Sequence, residues 1–418
     1  MRGSSIISVL FYFFLLGFIL TSCDREEDVP EPVRKSKKTV LIYLVGKNNL
    51  SNELMDDFNE VKKGLELYPS DEEINLLVFI TNRGKYLTPT LLRLRKENTS
   101  NLVIEEEIKT YPGANSTDSE VMKEILLDAF LRHPAQSYGL IMNSHADGWL
   151  PGPEEIKTRF FGEDDKKSIN IVDLALVLEH VTQKIDSKLD YLLFDACFMQ
   201  SVEVAYELRH SVNYLIGSPT EVPGPGAPYD IMIPSLFATN ADCHKGIVDD
   251  FYNYYREKYN GTVPESNAPE KWTGGIALSS ISMQYIDEYT RLTEQLLSRN
   301  LTERQSLNLD DIPNYDLRKG VINSSRKEFY HDLDSLLKSI TTEENEDLLN
   351  QWKIVHNKMV YYRHTPKIYS AYDSFKLFSV EGTHGISCYV PRKGYENMTD
   401  YYRNHEWYVA GGWKDLGW

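Results

Sequence analysis

The sequence predicts an α/β fold, a mostly parallel sheet with helices on both faces. Three observations predict it. Nearly continuous apolar, β-branched runs recur along the chain, as strands covered on both faces require. Between them lie segments with apolar residues at helical spacing. Polar or Gly/Pro-rich stretches separate the two, so that strand and helix alternate as in βαβ units.

Taken in order, "TVLIYLVG" (39–46) reads as the first buried strand. "NNLSNELMDDFNEVKKGLEL" follows as a helix, with Leu54, Phe58, Val61 and Leu65 on one face. "INLLVFIT" (74–81) is a second strand, and "TLLRLRKENTSNLVIEEEI" a hairpin around a polar turn that includes Asn98. A helix opens near Thr117 with a T-x-x-E cap completed by Glu120 and runs to about Arg132. "YGLIMNS" (138–144) is a strand leading into His145. Then come helix 171–185, strand 191–197 ending in Cys197, helix 201–210 and strand 212–218. "PTEVPGPGAPY" is an ordered loop, dense in proline and glycine. Farther on, a strand within 272–282 leads into a long helix, residues 301–320 read as loop, and helices are expected over about 326–340 and 343–363. "THGISCYVP" (383–391) reads as a last core strand stopped by Pro391. The expected organisation is a leader over 1–22, a tether over 23–38 and an α/β core over 39–260. Residues 261–418 are either the remainder of that fold or a helical subdomain.

The leader is expected from Arg2 followed by the apolar run Ile6 to Leu20, 15 residues long. That is shorter than the roughly 20 a spanning helix needs, and it fits a secretion signal. "LTSC" resembles a lipobox, which makes Cys23 the lipidated residue; an ordinary signal peptide is the alternative. The charged, proline-bearing segment after it has the composition of a tether, and its "DREED" acids resemble surface-sorting signals. The expectation is export and anchoring by acyl chains, at the outer membrane or the cell surface.

A net charge of −17 argues against nucleic acid as a partner, since phosphate binding needs basic surface. With Cys23 lipidated, three of the four cysteines remain, so at least one thiol is free. Cys243 and Cys388 could pair, or Cys388 could be a buried thiol. There is no H-E-x-x-H, no paired C-x-x-C, no G-x-S-x-G and no glycine-rich phosphate loop. No cofactor follows, and calcium is left open.

Two strand ends carry the chemistry. His145 follows one buried strand, in a turn with Gly148 and Pro151, and Cys197 ends another 52 residues later. One helix and loops fit between them, so a right-handed crossover would put both strand ends on one edge of the sheet. There an imidazole can serve as base to a thiol that is mostly protonated at neutral pH. Either residue alone would more often be a structural histidine or an inert core thiol.

Five blocks in order then resemble the clostripain family of cysteine peptidases, relatives of caspases, legumains and gingipains: "TVLIYLVGKNNL", "SHADGWLP", "FDACFMQSVEVAYEL", "GSPTEVPGPGAPY" and "HGISCYVP". The resemblance implies a caspase-like three-layer α/β/α sandwich with a helical C-terminal elaboration. It implies an endopeptidase with Cys197 as nucleophile and His145 as general base and acid. Backbone N–H groups of Ala146 and Cys197 would hold the oxyanion. Asp195, on the same side of its strand as Cys197, would select Arg or Lys by bidentate pairing, or else bond nearby loop amides. Ser218, Glu221 and Asp230 are further substrate-binding candidates, and the partners are peptides with basic residues. The family usually carries glycine where Ala146 stands; if that position needs φ > 0, the methyl group strains it. A catalytically inactive relative that binds peptides in the same cleft is the alternative. An enzyme cutting after basic residues could also cut itself in "DDKKS", at Lys166 or Lys167.

Overall fold

The computed structural model describes residues 35–69, 73–97, 100, 102–151, 160–300, 307–316, 329–371 and 376–416. The leader, Cys23, most of the tether and Asn98 lie outside them.

Strand β1 (Ser36–Gly46) shows why the chain builds layers. Val40, Ile42 and Leu44 join one apolar cluster, while Leu41, Tyr43 and Val45 join another on the opposite face. A strand with both faces buried has to sit inside a sheet that is covered twice. β1 starts earlier than hydropathy suggests because Lys38 is fully buried, its charge met by Asp190 at 2.9 Å and by the Ala238 carbonyl at 2.6 Å.

Helix α1 (Glu53–Leu67) crosses to β2 (Ile74–Asn82), and β3 (Thr90–Lys96) and β4 (Val103–Thr110) form the expected hairpin. Helix α2 (Ser119–Arg132) is capped by Asp118, whose side chain accepts the N–H groups of Glu120 and Val121 at 3.1 and 3.2 Å. Thr117, the expected cap, instead donates its hydroxyl to Asn115. β5 (Ala135–Asn143) leads through a short hairpin, β6 (Phe161–Asp164) and β7 (Lys167–Ile169), to α3 (Ile171–Ile185) and β8 (Leu189–Asp195). Then follow α4 (Val202–Leu208), β9 (Val212–Gly217), α5 (Tyr229–Phe237) and α6 (Cys243–Lys258).

The sheet has nine strands in the order β12-β10-β9-β8-β5-β1-β2-β3-β4. Its five central strands, β9 to β2, are mutually parallel, and an antiparallel pair closes each edge. Helices α1, α5 and α6 cover one face; α2, α3 and α4, with later helices, cover the other. This is the caspase-like α/β/α arrangement.

The C-terminal part adds β10 (Ala277–Ser282), α7 (Ile286–Arg299), the short β11 (His331–Asp332), α8 (Leu333–Ile340) and α9 (Glu346–Met359). It closes with β12 (Val360–His364), β13 (Lys367–Ser370), β14 (Lys376–Ser379), β15 (Ser387–Cys388) and two short helices. β10 and β12 extend the main sheet. Three expectations are corrected here. The helix expected over 343–363 stops at Met359, because Val360, Tyr361 and Tyr362 pair with β10 as an edge strand, a place their β-branched and aromatic side chains suit. The helix expected from about 326 starts at Leu333, where Asp332 caps it by accepting the Ser335 N–H. "GISCYV" is buried, but its strand is short and lies outside the main sheet: Ser387 and Cys388 pair with β11, and Ser387 also bridges Ser201. Cys243 and Cys388 are both free buried thiols.

No helix among the described residues is long and apolar enough to cross a membrane.

Candidate active site

The sheet orders its own working edge. The chain runs from β1 to β2 on one side and returns to β5 on the other, so a crevice opens beyond the carboxyl ends of the central strands. β5 and β8 are direct neighbours, with Asn143 opposite Asp195 in register. His145 stands two residues past the end of β5, and Cys197 two past the end of β8. Both line one cleft of about 640 Å³, together with Asn49, Asp57, Ala146, Asp147, Asp195, Glu221, Val222 and Tyr330.

Each reactive group is held by its loop. His145 Nε2 lies 2.7 Å from Asn49 Oδ1, just past β1. Its carbonyl accepts the Gly162 N–H at 2.9 Å, so the β6–β7 hairpin braces the histidine turn. Gly148, at φ 77°, is obligatory: a Cβ there would meet the Tyr330 hydroxyl at 2.0 Å, and that hydroxyl bonds the Asp147 carbonyl at 2.9 Å. On the other side, Cys197 Sγ accepts the Val222 N–H at 3.3 Å. Phe198 next to it sits at φ 61°, in the left-handed region that bulky residues avoid. Its N–H bonds the Thr220 carbonyl at 2.9 Å and its ring stacks on Tyr330, which ties the strained turn to both neighbours.

Ala146 is not strained. The non-glycine residues with positive φ are, among those described, Asp165, Lys166, Asp186 and Phe198, so alanine at 146 needs no left-handed backbone. The N–H groups of Ala146 and Cys197 have no acceptor among the described residues.

The electrostatics of the cleft are one-sided. Acids line it and no Lys or Arg does, among the described residues. Burial, then the carboxylate of Glu221, push the Cys197 thiol far above its usual range; the Val222 N–H opposes this, and Asp147 and Asp195 add to it. Asp195 is buried at the cleft floor, where its Oδ2 accepts Asn143 Nδ2 (2.9 Å), the Ala227 N–H (2.9 Å) and the Tyr229 hydroxyl (3.0 Å). Burial raises its carboxyl to about 6 against the pull of those donors.

Two sequence candidates stand elsewhere. Ser218 is fully buried and turned inward, its hydroxyl bonding the Thr220 hydroxyl and accepting the Thr220 N–H. Asp230 begins α5 and pairs with Lys63 at 2.6 Å, outside the cleft lining. Glu221 does line the cleft, but its carboxylate also accepts the Ala371 N–H, at 2.9 and 3.0 Å. Lys166 lies in the tight turn between β6 and β7, with Asp165 and Lys166 both left-handed. Neither Lys166 nor Lys167 is presented in an extended segment; that hairpin would have to open first. Asn49, Asp57, Asn143 and Tyr229 were not singled out from sequence. Asp57 had a readable signal: it falls on the apolar stripe of α1, three residues after Leu54 and four before Val61. No group of three or more His, Cys, Asp or Glu able to hold a metal is found among the described residues.

The clostripain family model matches residues 42–418. The chain belongs to the clostripain family. Clostripain from Hathewaya histolytica is 28% identical over 223 residues, which span 47% of this chain but only 41% of that relative's own length. Among solved structures, a secreted C11 cysteine protease from Bacteroides thetaiotaomicron, in complex with an irreversible peptide inhibitor, is 36% identical with a TM-score of 0.77. The match covers 90% of this chain and 99% of that one. An inactive zymogen C11 protease from Parabacteroides distasonis is 27% identical, with a TM-score of 0.74 over 90% of this chain and 98% of that one.

Proposed function

We propose that this clostripain-family chain is an exported, lipid-anchored cysteine endopeptidase that hydrolyses peptide bonds after Arg or Lys. The observation that carries the reading is the placement of a thiol and an imidazole at the ends of two adjacent parallel strands, above a buried aspartate. Its solved C11 relative from B. thetaiotaomicron is a secreted cysteine protease that takes a peptide inhibitor, which supports the reaction class and export.

In this reading the Cys197 thiol is protonated at rest, because its surroundings are apolar and anionic. His145 takes the proton as Sγ attacks the scissile carbonyl, and the Ala146 and Cys197 N–H groups hold the developing oxyanion. The imidazolium then protonates the leaving amine, and a thioester remains on Cys197. Water, deprotonated by the same imidazole, attacks the thioester, and the thiolate leaves and recovers its proton. A P1 guanidinium at Asp195 pairs with that carboxylate and weakens one of the fields that hold the thiol protonated.

The test is a fluorogenic peptide panel varied at P1, run on wild type and on Cys197→Ala. Cleavage after Arg and Lys that vanishes in the variant is expected. Cleavage that persists in the variant, or a panel with no preference for basic P1, would overturn the reading.

A further inference from the structure

Asp195 is not the only acid at the cleft floor. Asp57, from α1 on the other side of the pocket, is as buried as Asp195, each 3% exposed. One amide stands between them: Asn143 Nδ2 lies 2.8 Å from Asp57 Oδ2 and 2.9 Å from Asp195 Oδ2. Asp195 Oδ2 has two more donors, but Asp57 has Asn143 alone, and Oδ1 of either acid accepts nothing among the described residues. Yet neither Oδ1 is sealed from the cleft as a buried unpaired atom. Gly226 faces the same spot: a Cβ built there would come within 3.2 Å of Asp195 Oδ2 and 3.3 Å of Asp57 Oδ1. Glycine keeps open the space into which both carboxylates look.

Two buried carboxylates that share one amide are under-satisfied. An uncompensated buried charge is costly, and two of like sign in one pocket more so. The groups about the pair offer no remedy. Asp56 and Glu60 on α1 are acids, Tyr229 on α5 and Tyr255 on α6 are neutral, and Cys197 faces Asp195 as a thiol. The two lysines of α1 are already engaged, Lys62 with Glu105 and Lys63 with Asp230. The missing partner is a cation with several donors, brought by the ligand.

We propose that Asp57 is a specificity residue that, with Asp195, forms a paired-carboxylate receptor for the basic P1 side chain, Asn143 fixing one oxygen of each acid and leaving the other to the substrate. This rests on the basic P1 preference proposed above. Arg, with five N–H donors in a planar fork, can serve both acids, whereas the ammonium of Lys is a single point charge. Burial raises both carboxyls, Asp195 to about 6, and the charge of Asp195 adds to the rise of Asp57, so the pair retains protons that a P1 cation displaces.

The test compares matched substrates with Arg, Lys and Gln at P1 on wild type, Asp57→Asn and Asp195→Asn, over a pH series spanning 6. Asp57→Asn should lower kcat/KM for Arg at least about tenfold and collapse the Arg-to-Gln ratio. Its acid limb should move to lower pH, because Asp195 no longer shares the pocket with a like charge; a merely structural Asp57 would leave that limb in place. An Arg-to-Gln ratio and an acid limb unchanged from wild type would overturn the proposal while the basic preference stands. A wild type with no basic preference would sink both. If Asp57→Asn does not fold, calorimetry decides on the Cys197→Ala protein. Binding of an Arg-P1 peptide near pH 6, measured in buffers of different ionisation heat, should release about one proton. No release overturns the pair.

Discussion

Two buried aspartates on different elements of the fold are treated in opposite ways. Asp332, at the start of α8, is fully served: it accepts the Tyr315 hydroxyl (2.7 Å), the N–H groups of His384 (2.7 Å) and Ser335 (2.9 Å), and His384 Nδ1 (2.8 Å). Despite burial, the His384 hydrogen bond and charge hold its carboxyl below the ordinary range. Asp195, equally buried, shares an amide with a second acid and is raised to about 6. The difference teaches how to tell a structural carboxylate from one that waits for a ligand. Burial is common to both; a partner able to carry positive charge, His384 beside Asp332, is not.

If the comparison is right, the chemistry belongs to the cleft alone. Cys197→Ala should abolish turnover with the fold intact, since one small half-buried side chain replaces another. His145→Ala should lower kcat by several orders of magnitude, as loss of a base does in hydrolases that use a paired nucleophile. Single-turnover kinetics on a basic-P1 peptide read both. Retained activity in either variant removes that residue from the chemistry and breaks the contrast at its functional end.

The structural end breaks differently. Asp332→Asn should cost about 2 kcal/mol or more of stability, given that charge-assisted hydrogen bonds to a buried carboxylate are each worth about 1.5–3 kcal/mol. The His384 share is discounted because that ring stands partly in solvent, 41% exposed. Activity per folded molecule should not change. The pH signs differ between the partners. Asp332 has a depressed carboxyl, so its stabilisation is present above the ordinary carboxylate range and fades as pH falls through its lowered value. His384, raised mainly by its hydrogen bond to Asp332, stabilises below the usual histidine range and loses this as pH rises through its raised value. Thermal unfolding across pH should therefore show the variant's deficit widest between those limits. A deficit that does not vary with pH would mean that packing, not charge, makes this site structural.

Asp195→Asn comes next in size. It should lower kcat/KM for Arg substrates by at least about tenfold, roughly 1.4 kcal/mol. Arg should be hurt more than Lys, because the bidentate pairing is what is lost. Its stability should move the other way from that of Asp332→Asn. An acid raised in the fold favours folding at low pH and penalises it as pH rises through about 6, so removing the charge should stabilise the protein above that pH. A variant destabilised at pH 8 would place Asp195 with Asp332, as a structural group.

What the sequence disclosed follows from which interactions leave a pattern. The parallel strands were legible because both of their faces are apolar, as Val40 to Val45 in β1 show. The adjacency of His145 and Cys197 followed from the crossover rule, and β5 and β8 do pair. Lys38 hid the start of β1, since hydropathy counts a buried lysine as surface, and its compensation by Asp190 is 152 residues away. β12 was hidden for a similar reason: its partner, β10, is far off in the chain, while "HNKMVYYR" continues the helix's own spacing. Asp57 was legible only as an acid on an apolar stripe. Its counterpart Asp195 and the amide between them come from β8 and β5, and no local pattern joins them.

The smallest effect is expected where the sequence raised most concern. Ala146→Gly would repair an oxyanion donor if alanine were forced into the left-handed region, and losing one such donor typically costs about 10²–10³-fold. The backbone gives no ground for that repair, because Ala146 is not among the residues with positive φ, whereas Gly148 two residues on absorbs the turn at φ 77°. Ala146 is buried, and its N–H already lacks a competing acceptor among the described residues. Glycine would instead loosen the turn, at about 0.5–1 kcal/mol of added chain entropy in the unfolded state. The expected outcome is kcat within about twofold of wild type, because that entropy belongs to the unfolded chain and not to the transition state, and a slightly lower melting temperature. A rise in kcat of tenfold or more, with KM unchanged, would show that the methyl group holds the donor off line in the transition state.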